Sequence, residues 1–274
     1  MMRGRPIRIC GIGLMLAAMA IWARDNRWLD SPADTLPLVL GLPLAWFLGH
    51  PWQARTEPLA ASPARYAAIA GVALAGGWLF GSLTLLALSW SALAMIWAHW
   101  SFASQPRRGR LAWLLVCSFP WLVIEWPAIG WTFRLSSAAV AEQIFNLLQM
   151  PTQREGTRIV IMGVPVEIEA ACAGWNLLQL TLLAGVAFGT YEIRPPRRFA
   201  LLLCLLPAIS WLANLLRILI LAGIALACDA PVASGAIHGL TGLAVLASVL
   251  AMTKGLCVLL DPPPPTTSRI IQAS

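Results

Sequence analysis

Residues 211–227 read WLANLLRILILAGIALA, and a single guanidinium, Arg217, interrupts their apolar sequence. The apolar run extends from about 199 to 226, long enough for a helix to cross a bilayer, which takes about 20 residues. An arginine inside such a run costs a few kcal/mol or more unless something satisfies it. The stretch therefore predicts a membrane helix and a functional position on it.

The rest of the chain agrees with a membrane protein. Its 274 residues are 59% hydrophobic and only 11% charged, and a mean hydropathy of +0.74 excludes a soluble globule of ordinary composition. The apolar runs are continuous, whereas strands of an outer-membrane barrel alternate apolar with polar residues. Net charge +7 and pI 9.7 do not imply a nucleic-acid partner. The basic residues sit in short clusters between apolar runs rather than on one face or tail, and a lipid bilayer explains them better. Six cysteines without a CxxC indicate neither a disulfide framework nor a zinc site; no metal and no cofactor are expected. Cys10, Cys117, Cys204 and Cys257 fall within spans as small packing residues, and Cys228 near a loop reads as inert.

The expected fold class is all-α, a polytopic membrane helix bundle of about eight spans with a short extracytoplasmic hairpin before the sixth. The spans are read at 7–23, 35–49, 64–80, 82–100, 111–127, 172–190, 199–226 and 237–258. With a cytoplasmic N-terminus, thirteen basic residues fall in inside segments, against five outside: Arg24, Arg27, Arg134, Arg154 and Arg158. That positive-inside bias puts both termini in the cytoplasm and residues 128–171 outside. The first span also has the form of a secretory signal, but further spans follow at once, which favours an uncleaved helix. The outer stretch divides into an amphipathic helix, WTFRLSSAAVAEQIFNLLQM, and an extended piece, TRIVIMGVPVEIEA. The latter turns near Gly163 and Pro165, either as a hairpin that lids a site or pairs with a peptide, or as a loop on the membrane surface.

This topology brings three unusual residues to one depth. Cys172 opens the sixth span at its outer end. Arg217 lies 18 residues beyond Phe199, about 27 Å along a helix and close to the outer edge of a ~30 Å core. His238 is in the first turn of the last span. Cys172, Asn176 and Gln179 share one helical face, as do Ser210, Asn214 and Arg217. Polar stripes of this kind face a bundle interior, where Asn176, Gln179 and Asn214 serve either a site or interhelical hydrogen bonding. Taken singly, Cys172 reads as a packing residue, His238 as an interfacial histidine and Arg217 as a snorkelling side chain. Together a thiol, a cation and an imidazole read as an activated nucleophile.

The run MPTQREGTRIVIMGVPVEIEAACAGWNLLQL, followed by NLLRILIL and HGLTG, resembles the exosortase/archaeosortase family of multispan cysteine transpeptidases. The resemblance covers about residues 113–255. It implies a division into N-terminal membrane spans (1–110), a catalytic membrane core (111–260) and a proline-rich cytoplasmic tail (261–274). It also implies Cys172, Arg217 and His238 as the catalytic set, with Asn214 and Asn176 supporting. Its implied substrates are exported proteins of PEP-CTERM type, whose C-terminal signal joins a short motif, an apolar span and a basic cluster. The implied location is the inner membrane, with the site facing the periplasm. Where the family often has Cys-Ser-Gly, this chain has Cys172, Ala173 and Gly174.

The chemistry so implied is attack by the Cys172 thiolate on a peptide carbonyl, a thioester, and its resolution by an amine or water. Two other classes stay open. A transporter would line a path with polar residues through the membrane depth; a noncatalytic subunit of an envelope polysaccharide or export system would have no use for Cys172. An intramembrane serine protease lacks its GxSG-like motif here. Glu125, in VIEWPAIGW, either pairs with Arg217 or sits among headgroups beside Trp126 and Trp131.

Overall fold

A computed structural model describes residues 4–24, 32–54, 64–103, 108–119, 121–168, 175–228 and 236–262. The chain is mostly helical. Helices α1 (Gly4–Arg24), α2 (Pro32–Leu48), α3 (Ala64–Phe80) and α4 (Leu83–Ser101) precede a 3-10 turn at Arg108–Arg110. Helices α5 (Leu111–Cys117), α6 (Trp121–Glu125) and α7 (Pro127–Leu147) then lead into strands β1 (Thr152–Glu155), β2 (Arg158–Ile161) and β3 (Val164–Glu167). The chain closes with α8 (Trp175–Glu192), α9 (Pro196–Cys228) and α10 (Ala236–Leu260). Among the described residues, Leu83–Ser101, Pro196–Ala227 and Gly239–Leu260 are long and apolar enough to cross a bilayer, and Ile9–Arg24, Thr35–Leu48 and Ala64–Phe80 are shorter apolar helices. Val72, Leu79 and Leu259 are at least three-quarters exposed, as lipid-facing side chains of a membrane bundle are.

Two helix groups share one core. α1 and α3 pack on α4, while α8, α9 and α10 pack on one another, and α2 and α5 lie between the groups. Leu114, Leu183, Val186, Leu202, Leu206 and Cys257 fill the centre. Helix α8 packs closely on α9. A Cβ built on Gly185 falls 2.4 Å from Leu206 Cδ1, and one on Gly189 falls 2.6 Å from Leu202 Cδ2. Lipid gives helices no hydrophobic reason to associate, so membrane helices gain from close packing at small residues. The segment GVAFG supplies two such residues four apart.

Polar contacts sort into two ends. At the basic end, Arg110 donates to the carbonyls of Gly189, Ile193 and Arg194, placing a cation on the C-terminus of α8, where the helix dipole is negative. Asp261 accepts from the Arg194 N–H and the Arg198 guanidinium, at 2.7 and 2.9 Å, and Lys254 pairs with Glu192. The start of α9 therefore meets the ends of α8 and α10, and α9 runs antiparallel to both. At the opposite end, Arg24 donates to the Gly81 carbonyl, and Glu125 meets the start of α4.

That contact is the partner of Glu125. Its carboxylate accepts from the backbone N–H groups of Leu83 and Thr84 and from the hydroxyls of Ser82 and Thr84, so an anion sits where the α4 dipole is positive. Leucine and threonine at the start of α4 give no hint of a carboxylate arriving from beyond residue 120. Glu125→Ala leaves those donors unmet and is expected to cost about 1–3 kcal/mol. The readout is the melting temperature in detergent: a clear drop, partly recovered in Glu125→Gln, which keeps an acceptor. No drop in Glu125→Ala would remove the capping role.

Three sequence expectations are corrected. The span expected over 111–127 is interrupted, because α5 ends at Cys117 and α6 begins at Trp121. Pro120 has no N–H to continue a helix and disfavours helical backbone in the residue before it. The buried Gln179 amide donates to the carbonyls of Cys117 and Phe119, so Gln179 repairs the interruption instead of lining a site. The amphipathic helix begins at Pro127, a residue suited to a first helical turn, four residues earlier than expected. The all-α expectation also needs amendment, since 152–167 form a three-stranded antiparallel meander in the order β1-β2-β3. Its turns carry Gly156 at φ +64° and Gly163 at φ +86°, where glycine has no Cβ penalty.

One face of the meander is buried and the other polar. Ile159 and Ile161 join Ala138, Ala141 and Phe145 of α7 against Leu215, Ile218 and Ala222 of α9. Gln153, Glu155 and Arg158 stay exposed, as on a one-sided antiparallel sheet. Both sheet edges carry a guard against a further strand. Asn146 exchanges two hydrogen bonds with the Thr152 backbone on β1, at 2.9 and 3.2 Å, and β3 contains Pro165.

Candidate active site

Helices α8, α9 and α10 meet in a layer formed by Leu177, Ala213, Val245 and Val249. One turn further from the basic end, α9 presents Arg217 and α10 presents Gly242. A Cβ built on Gly242 lies 3.8 Å from Arg217 Nη2, so the guanidinium runs alongside α10 where α10 has no side chain. His238 precedes Gly242 by four residues and occupies the same face of α10 one turn beyond it. Its backbone is helical; its side chain is not described. On α8 the same step passes Trp175, the first described residue of that helix. Cys172 lies outside the described residues, and Asn176 is described only as part of the helix.

Arg217 is half-buried and Asn214, one turn below, is 1% exposed. Neither Oδ1 nor Nδ2 of Asn214 has a hydrogen-bond partner among the described residues. A buried amide without a partner costs about 1–3 kcal/mol, and such groups persist where a ligand, an ion or water meets them. Ser210, fully buried on the same stripe, continues this polar line. The far side of α9 is covered by α7 and the sheet, which together form a cap on it: Trp211 Nε1 donates to Ser136 Oγ of α7 at 2.9 Å, and the Ile159 and Ile161 side chains pack on the turns flanking Arg217. Arg217 therefore projects from a helix gripped on one face by α7 and the sheet and on another by α8 and α10.

A sequence model of transmembrane exosortases matches residues 6–255, most of the chain. The chain belongs to the transmembrane exosortase family. Searches of curated proteins and of solved structures returned no match. Exosortases are membrane cysteine transpeptidases acting on protein substrates in a lipid environment, which fits a membrane bundle with a cationic group held at one end. The match begins at residue 6, so the likeness extends over the N-terminal helices and is wider than the 113–255 expected from the motifs.

Sequence reasoning missed two features of this exosortase core. Gly242 was readable in HGLTG only as part of a motif, not as the gap that admits a guanidinium. The Gly185–Gly189 pair was available as a G-x-x-x-G spacing inside an apolar segment.

Proposed function

We propose that this protein is a cysteine endopeptidase/transpeptidase that cleaves C-terminal sorting signals of exported proteins at the outer face of an inner membrane, with the chain crossing about eight times. The Cys172 thiolate attacks the scissile carbonyl, forming a C–S bond and a tetrahedral oxyanion. His238 gives a proton to the leaving amine as the C–N bond breaks, and the released C-terminal segment departs with its apolar span. An acceptor amine or water then attacks the thioester and loses its proton to His238, and the C–S bond breaks to release the Cys172 thiolate. Arg217 holds the oxyanion in both halves, where a fixed charge in a low-dielectric setting contributes several kcal/mol. Asn214 orients the guanidinium or the imidazole, and Asn176 supports the start of α8.

The observation that carries this reading is the guanidinium of Arg217 beside Gly242, one turn from His238 and one turn above the layer where α8, α9 and α10 meet.

The test is co-expression with an exported substrate whose C-terminus joins a motif, an apolar span and a basic cluster. Wild type releases the C-terminal segment. Cys172→Ala abolishes release, and Cys172→Ser lowers it by several orders of magnitude. Full release in Cys172→Ala would end the proposal.

A further inference from the structure

Arg134 is a second cation at the Arg217 end of the bundle, and the chemistry above makes no use of it. It stands on the packed face of α7, where Gly130, Ser137, Ala138 and Ala141, at helical spacing from it, are all buried. Phe133 beside it touches Leu178 of α8. The bond from Trp211 to Ser136 sets this turn of α7 level with residues 210–214 of α9. Trp211 precedes Arg217 by six residues, so the layer lies about 9 Å below the Arg217 turn.

The polar groups of this layer lack partners. Arg134 is half-buried, and its Nε is buried with no hydrogen bond among the described residues. The acids nearest it in sequence are engaged elsewhere, Glu125 at the start of α4 and Glu142 by Arg154. Ser137 Oγ, fully buried one turn along, is also unpartnered, as is the buried Asn214 amide in the same layer. A membrane cation without an anion is costly, and buried donors left open mark where a ligand or water belongs. Guanidinium, hydroxyl and amide N–H all donate, and the positive charge selects an anionic acceptor.

The orientation of the guanidinium argues against a lipid phosphate as that acceptor. Helix α7 runs the same way as α9: Ser136 meets Trp211, and further along Ala138, Ala141 and Phe145 pack with Leu215, Ile218 and Ala222. The guanidinium lies over the ring of Trp131, three residues earlier, 5.0 Å from its centroid. It is therefore turned towards the membrane interior, away from the headgroups that a snorkelling arginine would seek. The anion has to be carried down to it, as a substrate chain entering the membrane can do.

We propose that Arg134 recognises an acidic side chain of the substrate, with Ser137 as a second donor. A depth of about 9 Å is about three extended residues, so the acid lies within that distance of the scissile bond, on the side of the apolar span. This specificity contact rests on the transpeptidase reading above.

The test uses the purified full chain carrying Cys172→Ala, in detergent, and fluorescein-labelled peptides that join a short motif, an apolar span and a basic cluster. One Glu, Gln or Lys is placed in turn at each of the three residues before the span, and binding is read by anisotropy. At one position the Glu peptide should bind about tenfold more tightly than its Gln counterpart. Arg134→Gln should erase that difference with an unchanged or higher melting temperature, because the arginine has no anion to lose. Arg134→Glu should prefer the Lys peptide. Equal binding of every Glu and Gln pair, no binding, or a preference that survives Arg134→Gln overturns the proposal. A clear fall in the melting temperature of Arg134→Gln also overturns it, since the arginine would then be structural. Cleavage of co-expressed substrate is scored separately in the Cys172 chain. A Glu preference in binding without Cys172-dependent cleavage would end the transpeptidase reading and leave the carboxylate site standing.

Discussion

Arg217→Ala is expected to cut substrate cleavage by about 10²–10³-fold, the loss typical of removing one oxyanion-stabilising donor, while the protein keeps its fold. The separation of activity from stability is the informative part. A structural arginine at this depth would take melting temperature down with activity. The segment around Arg217 is held by apolar contacts of Leu215, Ile218 and Ala222 with α7 and the sheet, and those survive truncation of the arginine. Removing a costly charge from a membrane helix also offsets part of whatever contact is lost. Arg217→Lys keeps the charge without the planar fork and should recover only part of the rate. The measurements are cleavage of a co-expressed substrate and the detergent melting temperature of each variant. Full cleavage by Arg217→Ala would remove the oxyanion role; a large fall in melting temperature with unchanged turnover per folded molecule would make the residue structural.

The second large effect is expected from the α8–α9 contact. Gly185→Leu or Gly189→Leu should abolish recovery of monodisperse protein. Leu202 and Leu206 are fully buried, and a Cβ alone at Gly185 or Gly189 already falls 2.4 or 2.6 Å from their side chains, so a leucine on α8 is expected to drive the helices apart. Alanine is a milder probe, because overpacking by one methyl costs about 1–3 kcal/mol. Gly185→Ala should be rescued in part by Leu206→Ala, giving coupling in a double-mutant cycle. Size-exclusion profiles and melting temperatures read this directly. Wild-type behaviour in Gly185→Leu would mean that the two helices are not in such close contact.

Much of the architecture was legible because membrane helices announce themselves by length and apolarity. The run around Arg217 marked α9, and helical rise alone placed the arginine near the far end. What escaped the sequence was pairing at long range. Glu125 looked like an interfacial acid because nothing near it in the chain names Ser82, Leu83 and Thr84 as its donors. Strand β1 was hidden because its residues, TQRE, show no apolar alternation; its pairing depends on the Gly156 turn and on Asn146 from α7. The reading of 111–127 as one span ran through Pro120, and nothing in the chain named Gln179 as the donor to the carbonyls of Cys117 and Phe119. At the candidate site, the arginine and the face carrying Asn214 were readable from periodicity, while the opening in α10 at Gly242 needed the packed helices.

The 33 residues of α9 extend about 50 Å at 1.5 Å per residue, well past a ~30 Å hydrocarbon core. Its one internal proline, Pro207, lies ten residues below Arg217, and beyond it the helix runs unbroken through the arginine into the segment that carries the cap. Height above the membrane is therefore set by a helical mast rather than by a loop. The α9 turns that carry Arg217 and Asn214 are also the ones on which Ile159 and Ile161 pack, so the sheet and the guanidinium share one support.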